Sequence, residues 1–279
     1  MICVGNLTVG GTGKTPLAVA LAKMLQEKNV PVAFLARGYL GRGSDALLVD
    51  SRTHDAKAVG DEALLLARAA PTIVARDRAQ GARLAEAQGA RAIVMDDGYQ
   101  NFALGKDWSV VVVDGETGFG NGRIVPAGPL RESVRQGIAR ADAVIVMGNG
   151  NPSLPGFAGP VLRARLSANR RLDGKRVVAF AGIGRPAKFF DTLRDLGAEI
   201  AATCSYGDHH FYSRADIASL RAQAKLVEAT LITTEKDLVR LNGNDREGVD
   251  VLPVHAAFDE PAAIGQILDE VLARKFAGP

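Results

Sequence analysis

Met1-Ile-Cys-Val-Gly-Asn-Leu-Thr-Val-Gly-Gly-Thr-Gly-Lys-Thr-Pro16 decides how the rest of the sequence is read. The apolar run Ile2–Val4 predicts a buried strand, and the apolar periodicity of Leu17–Leu25 predicts a helix that begins near Pro16. Proline suits the first turn of a helix, where the N–H it lacks would have no partner. Between the two, Gly10, Gly11 and Gly13 let the backbone close on an anion with no Cβ in the way. Strand, glycine loop and helix start make a phosphate-binding architecture, because consecutive N–H groups and the positive helix end face the anion. In such a loop Gly10, Gly11, Thr12 and Gly13 line a nucleoside triphosphate, Lys14 reaches its β/γ-phosphates and the Thr15 hydroxyl holds Mg²⁺. The usual spacing, G-x-x-x-x-G-K-[ST], has glycine five positions before Gly13, and Thr8 stands there instead.

A chain of 279 residues has room for one large domain or two modest ones. Hydrophobic residues at 47% and charged residues at 23% are the composition of an ordinary soluble globular protein. A net charge of +3, with no block of lysine or arginine, argues against a nucleic-acid partner. Cys3 and Cys204 lie in apolar, strand-like runs and are expected to be buried thiols, with no disulfide or zinc spacing. No apolar stretch reaches the roughly 18 residues that span a bilayer, and no signal peptide is expected ahead of the glycine loop.

Short apolar runs alternate with helical patterns, which predicts α/β architecture: a P-loop NTPase-type, mainly parallel sheet with a second, smaller α/β lobe. Strands are expected at Ile2–Val4, Val32–Leu35, Leu47–Val49, Thr72–Ala75, Ala92–Met95, Val110–Val113 and Val144–Met147. Helices are expected at Leu17–Glu27, Glu62–Ala69, Arg78–Ala87 and Glu132–Arg140. Turn formers from Gly148 to Gly156 break the rhythm, and Val161–Leu166 reads as a half-exposed connecting strand. Beyond it, strands are expected at Val177–Ala181, Ile200–Thr203, Leu231–Thr233 and Val251–Val254, with helices at Ala187–Leu196, Arg214–Ala224, Glu235–Leu241 and Ala262–Lys275. The expected division is residues 1–160 for nucleotide binding and 161–279 for the smaller lobe.

A P-loop needs a second carboxylate on the metal side, at the end of a neighbouring buried strand. Asp96-Asp97, after Ala92–Met95, has that form, and Asp114 after Val110–Val113 is a rival. Lone strand-end aspartates are often caps or turn formers, whereas a pair of adjacent like charges favours a cation. Asp61-Glu62 reads equally well as an acidic first helical turn or as catalytic acids. Arg76 and Arg78 sit just past an apolar strand, on the ligand edge of a parallel sheet. The stretch Gly115–Gly128 is a flexible loop, a lid or substrate rim, or more plainly a surface excursion. Asp208-His209-His210 lies in a polar turn, structural or suited to acid–base chemistry.

As an ordered set these stretches resemble the tetraacyldisaccharide 4′-kinase (lipid A 4′-kinase) family. The set is Gly5–Pro16, Arg37-Gly-Tyr39, Gly60-Asp-Glu62, Asp96-Asp-Gly-Tyr-Gln100, Pro129-Leu-Arg-Glu132, Asp208-His209 and Thr234-Glu-Lys-Asp237. The resemblance runs from residue 2 to about residue 240 and accounts for Thr8 as the family's own variant of the loop. It implies ATP- and Mg²⁺-dependent phosphorylation of the 4′-hydroxyl of a tetraacylated glucosamine disaccharide 1-phosphate in lipid A biosynthesis, by a peripheral protein at the cytoplasmic face of the bacterial inner membrane. It further implies Asp61 as the base, His209 as its dyad partner, and Asp97 with Asp96 in the metal shell. Arg131 and Glu132 would approach ATP, while Arg37, Tyr39, Arg78 and Gln100 would line the sugar head group. Thr234–Asp237 receives no role beyond shaping the second lobe, and no obligatory protein partner is implied. Family members usually carry an apolar N-terminal docking segment. Residue 1 here begins on the strand, so the start is truncated or lipid contact comes through other surface.

Two other readings compete. One is a P-loop kinase of a soluble metabolite. The other is a dimeric ATPase or GTPase switch, which calls for a lysine where Val9 stands. The Asn of the guanine-reading Asn-Lys-x-Asp motif is also absent from Thr234-Glu-Lys-Asp237.

Overall fold

In the computed structural model, residues 1–38 and 46–276 are described. Tyr39 therefore lies outside the described residues.

In chain order the elements are β1 (Ile2–Gly5), α1 (Lys14–Glu27), β2 (Val32–Ala36), β3 (Leu47–Leu48), α2 (Ala56–Val59), α3 (Asp61–Leu66), β4 (Thr72–Val74), α4 (Arg78–Ala87), β5 (Ala92–Asp96), β6 (Trp108–Asp114), α5 (Val134–Ile138), β7 (Ala143–Met147) and β8 (Val161–Ser167). They continue with β9 (Arg176–Ala181), α6 (Pro186–Asp195), β10 (Glu199–Ser205), α7 (Arg214–Leu226), β11 (Thr230–Thr234), α8 (Glu235–Arg240), β12 (Val249–Leu252), β13 (His255–Phe258) and α9 (Pro261–Phe276). The α/β class and the mainly parallel sheet are as expected.

The chain divides into two compact units: residues 1–54, 58–167 and 255–279, and residues 55–57 with 168–254. This differs from a single cut near residue 160. The connecting strand β8 joins the first unit's sheet, and β13 returns to pair antiparallel with it.

The first unit's sheet runs in the order β13-β8-β7-β6-β1-β5-β2-β4-β3, antiparallel only at its two ends. Strands β1, β2, β5, β6 and β7 are buried along their whole length, which is why they read as unbroken apolar runs rather than as alternation. Helix α1 buries Leu17, Ala18, Leu21, Ala22 and Leu25, the three- and four-residue spacing of one helical face. Helix α4 starts where Asp77 accepts hydrogen bonds from the N–H groups of Ala79 and Gln80. Helix α5 is shorter than expected because Ser133 caps it one residue after Glu132.

The second unit has a parallel sheet in the order β10-β9-β11-β12. The period-2 alternation of β9 feeds two cores. Val177, Ala179 and Ala181 pack with Phe189, Phe190 and Leu193 of α6, and Val178 and Phe180 pack with Ile217 and Leu220 of α7. Contrary to expectation Cys204 is only half-buried, its Sγ 3.2 Å from Gln223 Oε1, because β10 is an edge strand; Cys3 is fully buried.

Candidate active site

Strand β1 lies between β5 and β6, so its C-terminal end opens where the chain turns to either side of the sheet. Ligands of parallel sheets bind at such a point. The strand ends on Gly5, where an added Cβ would sit 2.4 Å from Tyr99 Cβ. Tyr99 is itself buried, its hydroxyl donating to the Gly137 carbonyl at 2.6 Å. We expect Gly5→Ala to destabilise the protein by about 1–3 kcal/mol through overpacking, read as a lowered urea midpoint. An unchanged midpoint would contradict this packing.

The loop from Asn6 to Gly13 is cross-linked on both sides. Asn6 is fully buried, and its Nδ2 donates to Thr12 Oγ1 at 3.2 Å and to Thr8 Oγ1 at 3.4 Å. Thr8 thus has a local function in the position where the common pattern has glycine. Val9 N–H donates to the Pro129 carbonyl at 2.8 Å, and Arg131 N–H to the Leu7 carbonyl at 2.7 Å. Gly10 and Gly13 adopt φ of 101° and 84°, and nothing lies within 4 Å of a Cβ placed on Gly10 or Gly11. The outer rim of the loop is therefore bare backbone, as an approaching phosphate requires.

At the start of α1 the sequence's two aspartates part company. The Thr15 hydroxyl donates to Asp96 Oδ2 at 2.9 Å, with both residues buried. Asp97 turns outward at φ 51°, a left-handed conformation uncommon for a residue with a side chain. Its carboxylate accepts a bidentate pair from Arg131, at 2.8 and 3.0 Å, and lies 3.6 Å from Lys14 Nζ. Burial alone would raise the Asp97 carboxyl, but Lys14 and Arg131 outweigh it and hold the group below the usual carboxylate range. The rival Asp114 is engaged in a turn, accepting from Glu116 and Thr117.

Gln100 ties this cluster to the loop. Its Nε2 donates to the Asn6 carbonyl at 2.9 Å and to Glu132 Oε1 at 3.0 Å, and its Oε1 accepts from Arg131. Glu132 also pairs with Arg140 at 2.8 Å. Burial raises the Glu132 carboxyl, while the Arg140 and Gln100 hydrogen bonds more than offset this and lower it. Arg131 thus stands beside the loop, whereas Glu132 and Gln100 act as struts behind it. Arg140 went unread in the sequence, since its partner is eight positions away across the α5 cap.

Asp61 opens α3 after Gly60, which has φ 91°. It is buried, and its Oδ1 accepts the Glu62 N–H at 2.9 Å. Arg78 opens α4 almost wholly buried, donating to the Ala75 carbonyl at 3.1 Å. Burial first, and then the charge of Arg37, lower its guanidinium below the usual arginine range. Arg37 itself is exposed.

In the second unit, His209 holds φ 58° and its N–H donates to the Gly182 carbonyl at 3.1 Å. The adjacent His210 serves a different element, with its Nε2 3.2 Å from Asp216 Oδ2, the carboxylate of the α7 capping box. The histidine pair is not one functional unit.

Thr15 and Asp96 bring a hydroxyl and a carboxylate together at the foot of the loop. Mg²⁺ takes hard oxygen donors of this kind, so the donor set fits the ion.

Residues 1–273 match the family model described as tetraacyldisaccharide-1-P 4′-kinase. A relative named tetraacyldisaccharide 4′-kinase from Rhodospirillum rubrum is 49% identical over 282 residues, covering 98% of this chain and 85% of the relative. Another of that name, from Methylobacterium nodulans, is 52% identical over 273 residues, covering 94% of this chain and 80% of the relative. The crystal structure of LpxK from Aquifex aeolicus in complex with ATP matches with a TM-score of 0.77 at 25% identity, covering 97% of this chain and 87% of that one.

Proposed function

We propose, from the premise that this chain belongs to the tetraacyldisaccharide-1-P 4′-kinase family, how its residues divide the work of phosphoryl transfer. The chain is an ATP-dependent kinase of lipid A biosynthesis that phosphorylates the 4′-hydroxyl of the tetraacylated glucosamine disaccharide 1-phosphate. The observation that carries the division of roles is the split of Asp96 and Asp97 between Thr15 on one side and Lys14 with Arg131 on the other.

Thr15 and Asp96 would hold Mg²⁺, which when bound neutralises charge on the transferred phosphate. Lys14 and the backbone of Gly10–Gly13 bind the ATP phosphates. Asp97 holds Lys14 and Arg131 near the reacting group; it is a positioning residue rather than a metal ligand. Arg37 and Arg78, two cations after neighbouring strands β2 and β4, suit the acceptor's own anionic group. Asp61 orients or accepts the proton of the 4′-hydroxyl, with His209 as its partner. The test is phosphotransfer from ATP to purified acceptor, with Mg²⁺ titration and the product identified by mass spectrometry. ATP consumption that ignores the acceptor would overturn the reading, and transfer that survives chelation would overturn the metal role.

Among the described residues no helix is long and apolar enough to cross a membrane. We place the protein peripherally on the cytoplasmic face of the inner membrane. Support comes from exposed Phe102, with Lys106 and Arg140 about its ring, and from exposed Ile124 and Val125 in the loop beside the P-loop. An exposed aromatic ring flanked by cations, with further exposed apolar residues, suits an anionic lipid interface. Sedimentation should show binding to vesicles that carry acceptor, reduced by Phe102→Ser with Ile124→Ser. Equally tight binding to vesicles without acceptor would contradict substrate-led docking.

A further inference from the structure

The stretch Thr234-Glu-Lys-Asp237 closes β11 and opens α8, and the transfer mechanism leaves it unused. Its aspartate is nevertheless the hub of the best-buried polar cluster described in the second unit. Asp237 is fully buried, and its Oδ1 accepts from Gly182 N–H at 2.9 Å, the Tyr212 hydroxyl at 2.8 Å and Arg240 Nη1 at 3.1 Å. Its Oδ2 accepts from the Thr234 hydroxyl at 2.6 Å. Arg240, also buried, donates to the Gly182 carbonyl at 2.6 Å, and its Nη2 lies 3.4 Å from His209 Nδ1. The same Gly182 carbonyl takes the His209 N–H. A Cβ on Gly182 would meet His210, Asp237 and the Tyr212 hydroxyl at 3.0–3.1 Å, so a side chain there would press on all three.

The chemistry of the contact is one-directional. A guanidinium has five donors and no acceptor, so Nδ1 of His209 must face it with a lone pair. The neutral ring then carries its proton on Nε2. The Asp208 carboxylate, 4.0 Å from Nε2, favours the same arrangement. His209 is also held at a left-handed φ of 58°, a conformation that persists where surrounding contacts fix it.

We propose that the buried Asp237–Arg240 pair is a positioning device that locks His209 as the Nε2–H tautomer. The catalytic part of this rests on the proposed dyad role of His209; the tautomer lock does not. An ion pair so deeply buried is weak evidence for net stability as such, and beside the backbone, Tyr212 and Thr234 contacts it holds, it has the His209 ring as a side-chain neighbour.

The test uses side-chain ¹⁵N NMR on the full chain, with the His209 signals assigned by their loss in His209→Gln. The wild-type ring should be in the Nε2–H form. Asp237→Asn combined with Arg240→Gln removes the contact without leaving a lone buried charge, and should give a mixture of tautomers. Turnover should fall about tenfold with the acceptor KM little changed, the low end of the loss when the groups that orient metal-binding histidines are removed. Arg240→Lys is the second variant; it keeps the charge against Asp237 but is too short to reach the ring, and should show the same loss. An Nδ1–H ring in the wild type, or an unchanged tautomer in a folded variant, overturns the proposal. A tautomer change with full activity leaves the lock standing and removes the dyad role of His209 instead.

Discussion

Lys14→Ala is expected to lower kcat by about 10³-fold while the protein stays folded. Phosphoryl transfer depends almost wholly on positioning and on charge stabilisation of the transferred group, and the P-loop lysine supplies both. Loss of a single preorganised donor to developing charge removes on the order of 10²–10³ in kcat, and here a full positive charge is lost as well. The side chain is mostly sheltered, and the Asp97 carboxylate 3.6 Å from Nζ fixes its direction. The fold should tolerate the change. Asp97 keeps its bidentate partner Arg131 and is 40% exposed, so no buried charge is stranded. Single-turnover kinetics beside a thermal melt will separate the two effects. A folded variant within a few-fold of wild type would remove the P-loop assignment. Asp97→Asn should show a smaller loss, since Lys14 remains with weaker guidance.

How much of this was legible depends on the range of the interaction that decides each feature. The Arg78–Ala87 helix is bounded in the structure as its sequence implies, because its start is a local cap by Asp77. The buried strands of the first unit were readable from their composition alone. In contrast, Val251–Val254 reads as one strand, yet the structure ends β12 at Leu252 and begins β13 at His255. Pro253, which cannot donate to a ladder, marks that break, but nothing local shows that β13 pairs back to β8. That long-range pairing also moves residues 255–279 to the first unit.

The site shows the same division. The glycines, Lys14 and Thr15 are a contiguous motif with a known physical role. Asp96 and Asp97 are chemically identical neighbours, and only the end of β5 separates them, one buried against Thr15 and the other turned out at φ 51°. The Asp237 hub could have been suspected from Thr234-x-x-Asp237, a helix-capping pattern, but its partner Gly182 lies 55 positions away. Arg140 and Gln100 act through contacts that no local pattern encodes.

The second large effect is expected at Asp61 and His209, which fall in different units of the chain. Asp61→Ala should lower kcat by about 10²–10⁴-fold, the range for a general base, and His209→Ala by a similar or smaller factor. Asp61 is buried at the start of α3. A carboxylate so placed can accept a hydroxyl proton but needs a second group to fix its direction. His209, with its backbone strained and its ring held by Arg240, is built to point rather than to flex. If the two act as one device, removing either forfeits most of what removing both would, so the double variant should lose far less than the product of the single losses. The plainer alternative makes Asp61 a first-turn acid and His209 a turn residue. It predicts small losses, or losses that multiply. Asp61→Asn discriminates further, because it preserves shape and the Glu62 N–H bond while removing the base. Near-normal turnover in that variant would leave Asp61 a structural residue and require another group to take the 4′-hydroxyl proton.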